Sequence, residues 1–446
     1  MRRILLIAAA ALPLSGLLGL EEKKPAPPPP ERVGVEVDDP KLKADIEDCI
    51  RRGVAWLKEH QEPSGAWPSM EPGKLYPGNS GEPYLYKYEL TALALLALLK
   101  CDVPPKDPCI VQGIDWLKKN GTGIIGSYGN AITLLLLEAR YVSKESVAAK
   151  DGKKKPAKPK PERFDPEDTL WAAKLVAGTV SCQHSCGGWR YGGMSVPLDM
   201  EGGKPGVADV SATQYALLGL HAARRMGIPV NPDVFYRASD FLMAQQDPDG
   251  KRVSRITERA RVEADNPRPE GTEEAGDYGK DRIRGWAYMR GDGVPDNARS
   301  SAGMTCAGIV GIMTCRNACM DDKALKKVDK DKRLAGMEQS IYDGLAWLDA
   351  HWSTGENIPQ EDRELGYYLY ALERVGIMTD LRFIGPGHDW YLEGARVWTR
   401  RITEEGEMGY WDISTARKKV ESQDTPFALL FLRKAVLVSY PIGEAE

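Results

Sequence analysis

Eight cysteines in 446 residues are too few to frame the structure with disulfides, so a hydrophobic core must supply the stability. Basic charge is not in excess either. Sixty Lys and Arg stand against 64 Asp and Glu, and with the basic N-terminus and the basic stretch Lys150 to Arg163 set aside, the remainder carries about −11. That balance excludes a nucleic-acid partner. Beyond the first twenty residues no long apolar run occurs, which excludes a polytopic membrane protein. The chain is nevertheless 42% apolar, with 45 Gly and 31 Pro, which excludes disorder and collagen for its bulk. Its length admits one large core or about three ordinary domains.

What is present begins with Arg2 and Arg3 followed by the apolar run Ile4 to Leu20, the layout of a secretory signal or an N-terminal anchor over residues 1–20. The expected location is therefore outside the cytoplasm: periplasmic, cell-surface or extracellular. Residues 21–40 contain Pro25 and Pro27 to Pro30, an extended linker, so membrane contact is expected only through the N-terminal segment. An exported chain permits disulfides among Cys182/Cys186, Cys315/Cys319 and Cys101/Cys109, and the sequence does not choose between them. Cys182, His184 and Cys186 are zinc-compatible donors, but structural zinc wants four ligands and no matching second pair is present. No metal or cofactor is assigned.

Self-comparison organises residues 41–440. Gly53 to Leu57, Gly113 to Leu117 and Gly344 to Leu348 share G-x-x-W-L, and weaker copies lie at Ala238 to Leu242, Leu175 to Gln183 and Gly394 to Trp398. Six anchors recur at an interval of roughly sixty residues, room for two helices and their turns. A second, more apolar segment follows each anchor: Tyr88 to Lys100, Ala131 to Tyr141, Ser211 to Arg225, Ser300 to Cys315, Leu365 to Val375 and Thr425 to Val436. Nearly continuous apolar character places these second helices inside, while the charged positions of the first helices place them against water. The expected fold is all-α: twelve helices in six hairpins, closed as a double ring, an (α/α)6 toroid. Two insertions, 143–166 and 251–284, carry little apolar surface and are expected outside it; the second holds nine basic and eight acidic residues.

The first copy continues as Gln61-Glu62-Pro63-Ser64-Gly65-Ala66-Trp67, the third keeps Gln183, Gly187, Gly188 and Trp189, and the fourth keeps Gln246 ahead of a delayed Gly285-Trp286. This pattern resembles the QW motif of squalene and oxidosqualene cyclases, and the likeness over residues 42 to 438 extends to protein prenyltransferase β-subunits, which share the alpha-alpha toroid. Read physically, the Gly allows a sharp turn, the Gln bonds free backbone groups at a helix end, and the Trp covers the joint.

The resemblance places chemistry where inner helices begin. Asp209-Val210-Ser211-Ala212-Thr213 lies where those cyclases carry D-x-D-D-T; Asp209 and Thr213 match, while Ser211 and Ala212 replace the second and third carboxyls. The same Asp209-x-Ser211 resembles the prenyltransferase D-x-C, with Ser for the zinc-binding Cys. The resemblance thus implies a central cavity that binds an extended apolar or isoprenoid small molecule; its acid is the middle carboxyl, where Ser211 stands here, so the acid falls to Asp209 with Asp424 as its reserve. Ser211, Thr213 and Gln214, with the aromatics Trp189, Tyr191, Trp286, Tyr288, Tyr410 and Trp411 at the loop ends, are the candidate ligand-binding residues. Capping is the other role open to Asp209, Ser211 and Asp424, as it is to Thr91, Thr305 and Thr425. Two further functions stay open: an extracellular binding or scaffold module, and a polysaccharide-active toroid enzyme working through a carboxylate pair.

Overall fold

The computed structural model describes residues 39–67, 83–121, 126–141, 164–190, 208–255, 280–290, 299–360, 364–414 and 421–434. The N-terminal run, the proline-rich linker, most of insertion 143–166 and the middle of insertion 251–284 lie outside them. Among the described residues, twelve helices fall in six consecutive hairpins. They are α1 (Pro40–Glu59) with α2 (Pro83–Lys100), α3 (Pro108–Asn120) with α4 (Ser127–Tyr141), and α5 (Pro166–Ser181) with α6 (Val210–Arg225). The second half has α7 (Pro232–Gln245) with α8 (Ala302–Asp321), α9 (Lys327–Ala350) with α10 (Leu365–Thr379), and α11 (Trp390–Arg400) with α12 (Glu421–Leu432).

The even-numbered helices form a closed inner ring. Each packs on the next, α2 on α4, α4 on α6, α6 on α8, α8 on α10 and α10 on α12, and α12 returns to α2. The odd-numbered helices pack around that ring, as α3 does on α2 and α9 on α8. The chain is an alpha-alpha toroid. Inner-helix residues such as Leu95, Leu98, Leu217 and Leu372 are fully buried. All eight cysteines are free thiols, so packing and hydrogen bonding hold the ring.

Local chemistry starts the outer helices. Asp39, Asp107, Asp165 and Asn231 each precede a proline at the first helical position, and each side chain accepts a bond from a free N–H of the first turn. Three small antiparallel hairpins decorate the ring: β1 (Arg252–Val253) with β2 (Asp281–Arg282), β3 (Phe383–Ile384) with β4 (His388–Asp389), and β5 (Thr403–Glu405) with β6 (Met408–Tyr410). The first corrects the expectation for insertion 251–284, because its two ends dock on α9. Arg282 N donates to Asp343 Oδ1 at 2.8 Å, Arg284 pairs with Asp343 at 3.0 Å, and buried Asp281 takes Arg255 at 3.2 Å. Polar satisfaction, not apolar area, holds that base down.

One joint recurs in four hairpins. The tryptophan after the outer helix sends its indole N–H to a carbonyl in that helix's last turns: Trp67 to Leu57 at 2.8 Å, Trp189 to Thr179 at 2.7 Å, Trp286 to Leu242 at 2.8 Å, and Trp411 to Trp398 at 2.8 Å. Its backbone N–H donates to a threonine hydroxyl in the first turns of the inner helix, Thr91 at 3.1 Å, Thr213 at 2.9 Å, Thr305 at 3.2 Å and Thr425 at 3.0 Å. A glutamine then ties hairpin to hairpin. Gln61 donates to Gly65 and to Cys109 of α3, both at 2.9 Å; Gln183 donates to Gly187 and to Val234 of α7; Gln246 reaches Ser340 of α9 at 2.9 Å. The turn requires positive φ at Gly65 and Gly187, and a Cβ at either would meet a backbone carbonyl. Glycine anchors of the outer helices serve close approach instead: a Cβ on Gly53 would lie 2.9 Å from the Trp411 ring, and one on Gly344 would lie 2.7 Å from that of Trp286.

Because the Thr213 hydroxyl is the acceptor for a buried backbone N–H, Thr213→Val should leave that donor unpaired. The expected loss is about 1–3 kcal/mol in urea unfolding, with Thr213→Ser close to wild type. A Val variant as stable as the parent would remove the joint from the account.

Candidate functional site

Every inner helix is the second arm of its hairpin, so all six run in one direction and their N-termini gather at one end of the barrel. There the backbone N–H groups point outward and the helix dipoles present their positive ends. The tryptophan joints of four hairpins lie at the same end.

Asp209 caps α6 from within this end. It is fully buried, and its Oδ1 accepts the Ala212 N–H at 2.6 Å. Oδ2 makes no hydrogen bond among the described residues. Burial away from water is the largest influence on the carboxyl and lifts its pKa to about 7, against the pull of the Ala212 N–H, the Tyr288 side chain and the Arg190 charge. Asp424 of α12 is also buried, but better satisfied: Oδ2 accepts Ile413 N at 2.8 Å and Ser414 N at 2.9 Å, and Oδ1 accepts the Ser414 hydroxyl at 3.0 Å. Burial raises its pKa to about 6. Both groups can hold or release a proton near neutrality, the property a general acid needs.

One turn into the barrel, polar side chains bridge it. Tyr367 of α10 donates its hydroxyl to Gln214 Oε1 of α6 at 2.8 Å, Ser211 of α6 donates to the Tyr367 hydroxyl at 3.0 Å, and Tyr128 of α4 donates to Ser211 at 2.8 Å. Helices α6 and α10 are not neighbours in the ring, so this chain crosses the barrel interior. Below it the Tyr215 ring lies 5.0 Å from that of Tyr128 and 6.4 Å from that of Tyr367, and Phe427 of α12 stands 5.1 Å from Tyr370. The layer is hydroxyl- and amide-rich with aromatic faces beneath.

The structure gathers some of the sequence candidates and disperses others. Ser211 and Gln214 join the bridging layer, and Asp209 stands at its edge. Thr213 is committed to the Trp189 joint. Trp189, Trp286 and Trp411 are fully buried in joints, with their indole N–H groups bonded to outer-helix carbonyls, which separates them from the barrel axis. Tyr410 lies on the outer ring, its ring 5.3 Å from that of Trp56 of α1. Tyr288 sits beside Asp209, and its carbonyl accepts the Val210 N–H at 3.1 Å. Tyr191 lies outside the described residues. No group of three or more His, Cys, Asp or Glu side chains suited to a metal occurs among the described residues. Sequence reading passed over Tyr128, Tyr367 and Tyr370. Tyr367, Tyr370 and Arg374 at positions i, i+3 and i+7 of a mostly apolar helix were a usable signal, since that spacing puts them along one face.

No protein-family model matches the chain, and no curated protein matches it in sequence. Solved structures do match in fold. The α-1,6-mannanase GH76A of Salegentibacter sp. HEL1_6, an inactive variant with α-1,6-mannotriose, aligns with TM-score 0.51 at 10% identity over 89% of this chain and 99% of its own. A second inactive variant of that enzyme, with α-1,6-mannotetrose, aligns with TM-score 0.52 at 9% identity over the same shares. The type II terpene cyclase MstE from Scytonema aligns with TM-score 0.44 at 11% identity over 89% of this chain and 98% of its own. At such identities the likeness establishes the toroid and nothing of the ligand.

The raised pKa of Asp209 ties stability to pH. Below its ordinary value of 3.8 the carboxyl is neutral whether the chain is folded or not; between about 4 and 7 only the folded state keeps it neutral. Stability from this group is therefore present at low pH and lost as pH rises towards 7, by up to about 1.4 kcal/mol per unit. Asn caps as well as Asp. The melting temperature of Asp209→Asn should gain on that of the parent steadily from pH 4 to pH 7, and parallel profiles would show that the carboxyl titrates normally.

Proposed function

We propose that the protein binds a saccharide chain at the N-terminal mouth of its inner barrel and acts on it with Asp209 as proton donor. The observation that carries this reading is the bridging layer of Tyr128, Ser211, Gln214 and Tyr367. A ligand resting there meets hydroxyls and an amide, and each such group left unpaired costs about 1–3 kcal/mol. A sugar supplies hydroxyls for the layer and a C–H face for the tyrosine rings below; a hydrocarbon supplies only the second. Asp424, on the opposite side of the inner ring from α6, is the second carboxyl of the pair such chemistry uses. The apolar N-terminal run agrees with action outside the cytoplasm, where polysaccharide is met.

An isoprenoid ligand is the second reading, favoured by the faces of Tyr215, Tyr367 and Phe427, which can stabilise a cation. Calorimetric titration of the purified protein with manno-, gluco- and xylo-oligosaccharides, beside squalene and farnesol, separates the two. Saccharide binding is expected, with reducing ends released by wild type and not by Asp209→Asn, which still binds. Binding of the isoprenoids alone would overturn the saccharide reading. Cleavage that survives in Asp209→Asn would move the acid to Asp424.

A further inference from the structure

We propose that the cleft between the turn after α9 and the face of α11 beside it is a second binding site, for a small phosphate monoester that also carries hydroxyls. The cleft has a volume of about 350 Å³ and is lined by Thr354 of the turn and by Glu393, Arg396, Val397, Arg400 and Arg401. That volume lies within the range of small-molecule pockets, about 300–1,000 Å³. It shares no residue with the bridging layer inside the barrel, so the proposal is independent of the saccharide reading.

The two walls of the cleft are tied together. Trp352 of the turn donates its indole N–H to Glu393 Oε2 of α11 at 2.8 Å and stacks on His388 of β4, ring centroids 4.7 Å apart. Ser353 closes the turn: its hydroxyl accepts the N–H groups of Gly355 at 3.2 Å and Glu356 at 3.1 Å, and its carbonyl accepts the Tyr368 hydroxyl of α10 at 2.7 Å. A cleft held in this way is formed before a ligand arrives, which lowers the ordering cost of binding.

Charge decides what the cleft takes. Glu393, Arg396, Val397 and Arg400 stand three, four and seven residues apart and share one face of α11. Glu393 is committed to the Trp352 indole, and among the described residues it pairs with neither Arg396 nor Arg400. Arg396 has a 3.9 Å approach to Asp39, whose other oxygen caps α1, and Arg400 makes no ion pair among the described residues. Three guanidiniums thus line the cleft beside one carboxylate, on a chain whose net charge is −4. Arg400 and Arg401 suit the negative C-terminal end of α11. Arg396 lies a turn earlier, where that benefit fades, and like charges four residues apart on a helix repel. A bound anion removes the repulsion. A carboxylate fills one guanidinium fork, whereas the double charge and three oxygens of a phosphate monoester can engage two. Thr354 on the facing wall and the second oxygen of Glu393 remain to bond hydroxyls of the same molecule.

The test is calorimetric titration of the full chain at low salt with glucose-6-phosphate, inorganic phosphate, glucuronate and glucose. Glucose-6-phosphate should bind about tenfold more tightly than glucuronate, inorganic phosphate more weakly than the ester for want of hydroxyls, and glucose not at all. High salt should weaken the binding, because the arginines are exposed. Arg396→Gln and Arg400→Gln should each lower the affinity about tenfold at an unchanged melting temperature. Glu393→Gln, whose amide oxygen can still accept the Trp352 bond, should raise it, and Arg333→Gln near the start of α9 should leave it as in wild type. Silence from both phosphates would overturn the proposal, as would glucuronate binding as tightly as the ester. An affinity unchanged in Arg400→Gln, or lowered as far by Arg333→Gln, would overturn it too.

Discussion

The hydrogen bond from a tryptophan backbone N–H to a threonine hydroxyl, made four times, is the constraint on which the rest depends. A helix ending and another beginning leave carbonyls and N–H groups without partners, and burying them unsatisfied would cost more than the packing returns. The indole and backbone N–H groups of Trp67, Trp189, Trp286 and Trp411 settle both accounts at once, one at the outer helix and one at the inner. Each joint fixes where its inner helix starts. Since Gln61, Gln183 and Gln246 reach the next outer helix, the start of one hairpin is registered to its neighbour. The joint at Trp189 and Thr213 thus sets the start of α6, while Gln246 holds α9, the partner of α10, and between them these contacts bring Ser211 and Gln214 opposite Tyr367.

The interior that results is costly to build. A carboxyl with an unbonded oxygen and the hydroxyls of Tyr367 and Tyr370 are buried where leucines would pack more favourably. Elsewhere the ring satisfies its buried charges internally, as Glu138 with Arg225 and Asp168 with Lys118 and Arg140 demonstrate. The buried Asp209 oxygen without a hydrogen bond, beside the hydroxyls and amide of the bridging layer, is the physical basis for proposing a ligand at the mouth of the inner ring.

Much of the fold was legible in the sequence. The G-x-x-W-L anchors marked three outer helices and three degenerate copies the others, and the apolar run Leu93 to Leu99 announced an inner one. Asp-Pro and Asn-Pro at four outer helix starts were equally readable, because one residue caps and the next needs no N–H. The site was less legible. Thr213 looks in sequence like a ligand contact and is a joint, a difference that lies in Trp189, twenty-four residues away. Tyr128 and Tyr367 belong to different hairpins, and no local pattern says that they share one serine. The docked ends of insertion 251–284 were missed because apolar content was the criterion, whereas Asp281 and Asp343 hold them through hydrogen bonds.

The central claim is that the bridging layer serves a ligand and not merely the ring. Tyr367→Phe keeps the ring and removes the hydroxyl that joins Ser211 to Gln214, so affinity for the best-binding oligosaccharide and unfolding free energy should be measured on the same preparation. The account predicts affinity lowered by about tenfold or more with stability changed by less than about 1 kcal/mol. Unchanged affinity together with a clear loss of stability would make the layer structural and contradict it.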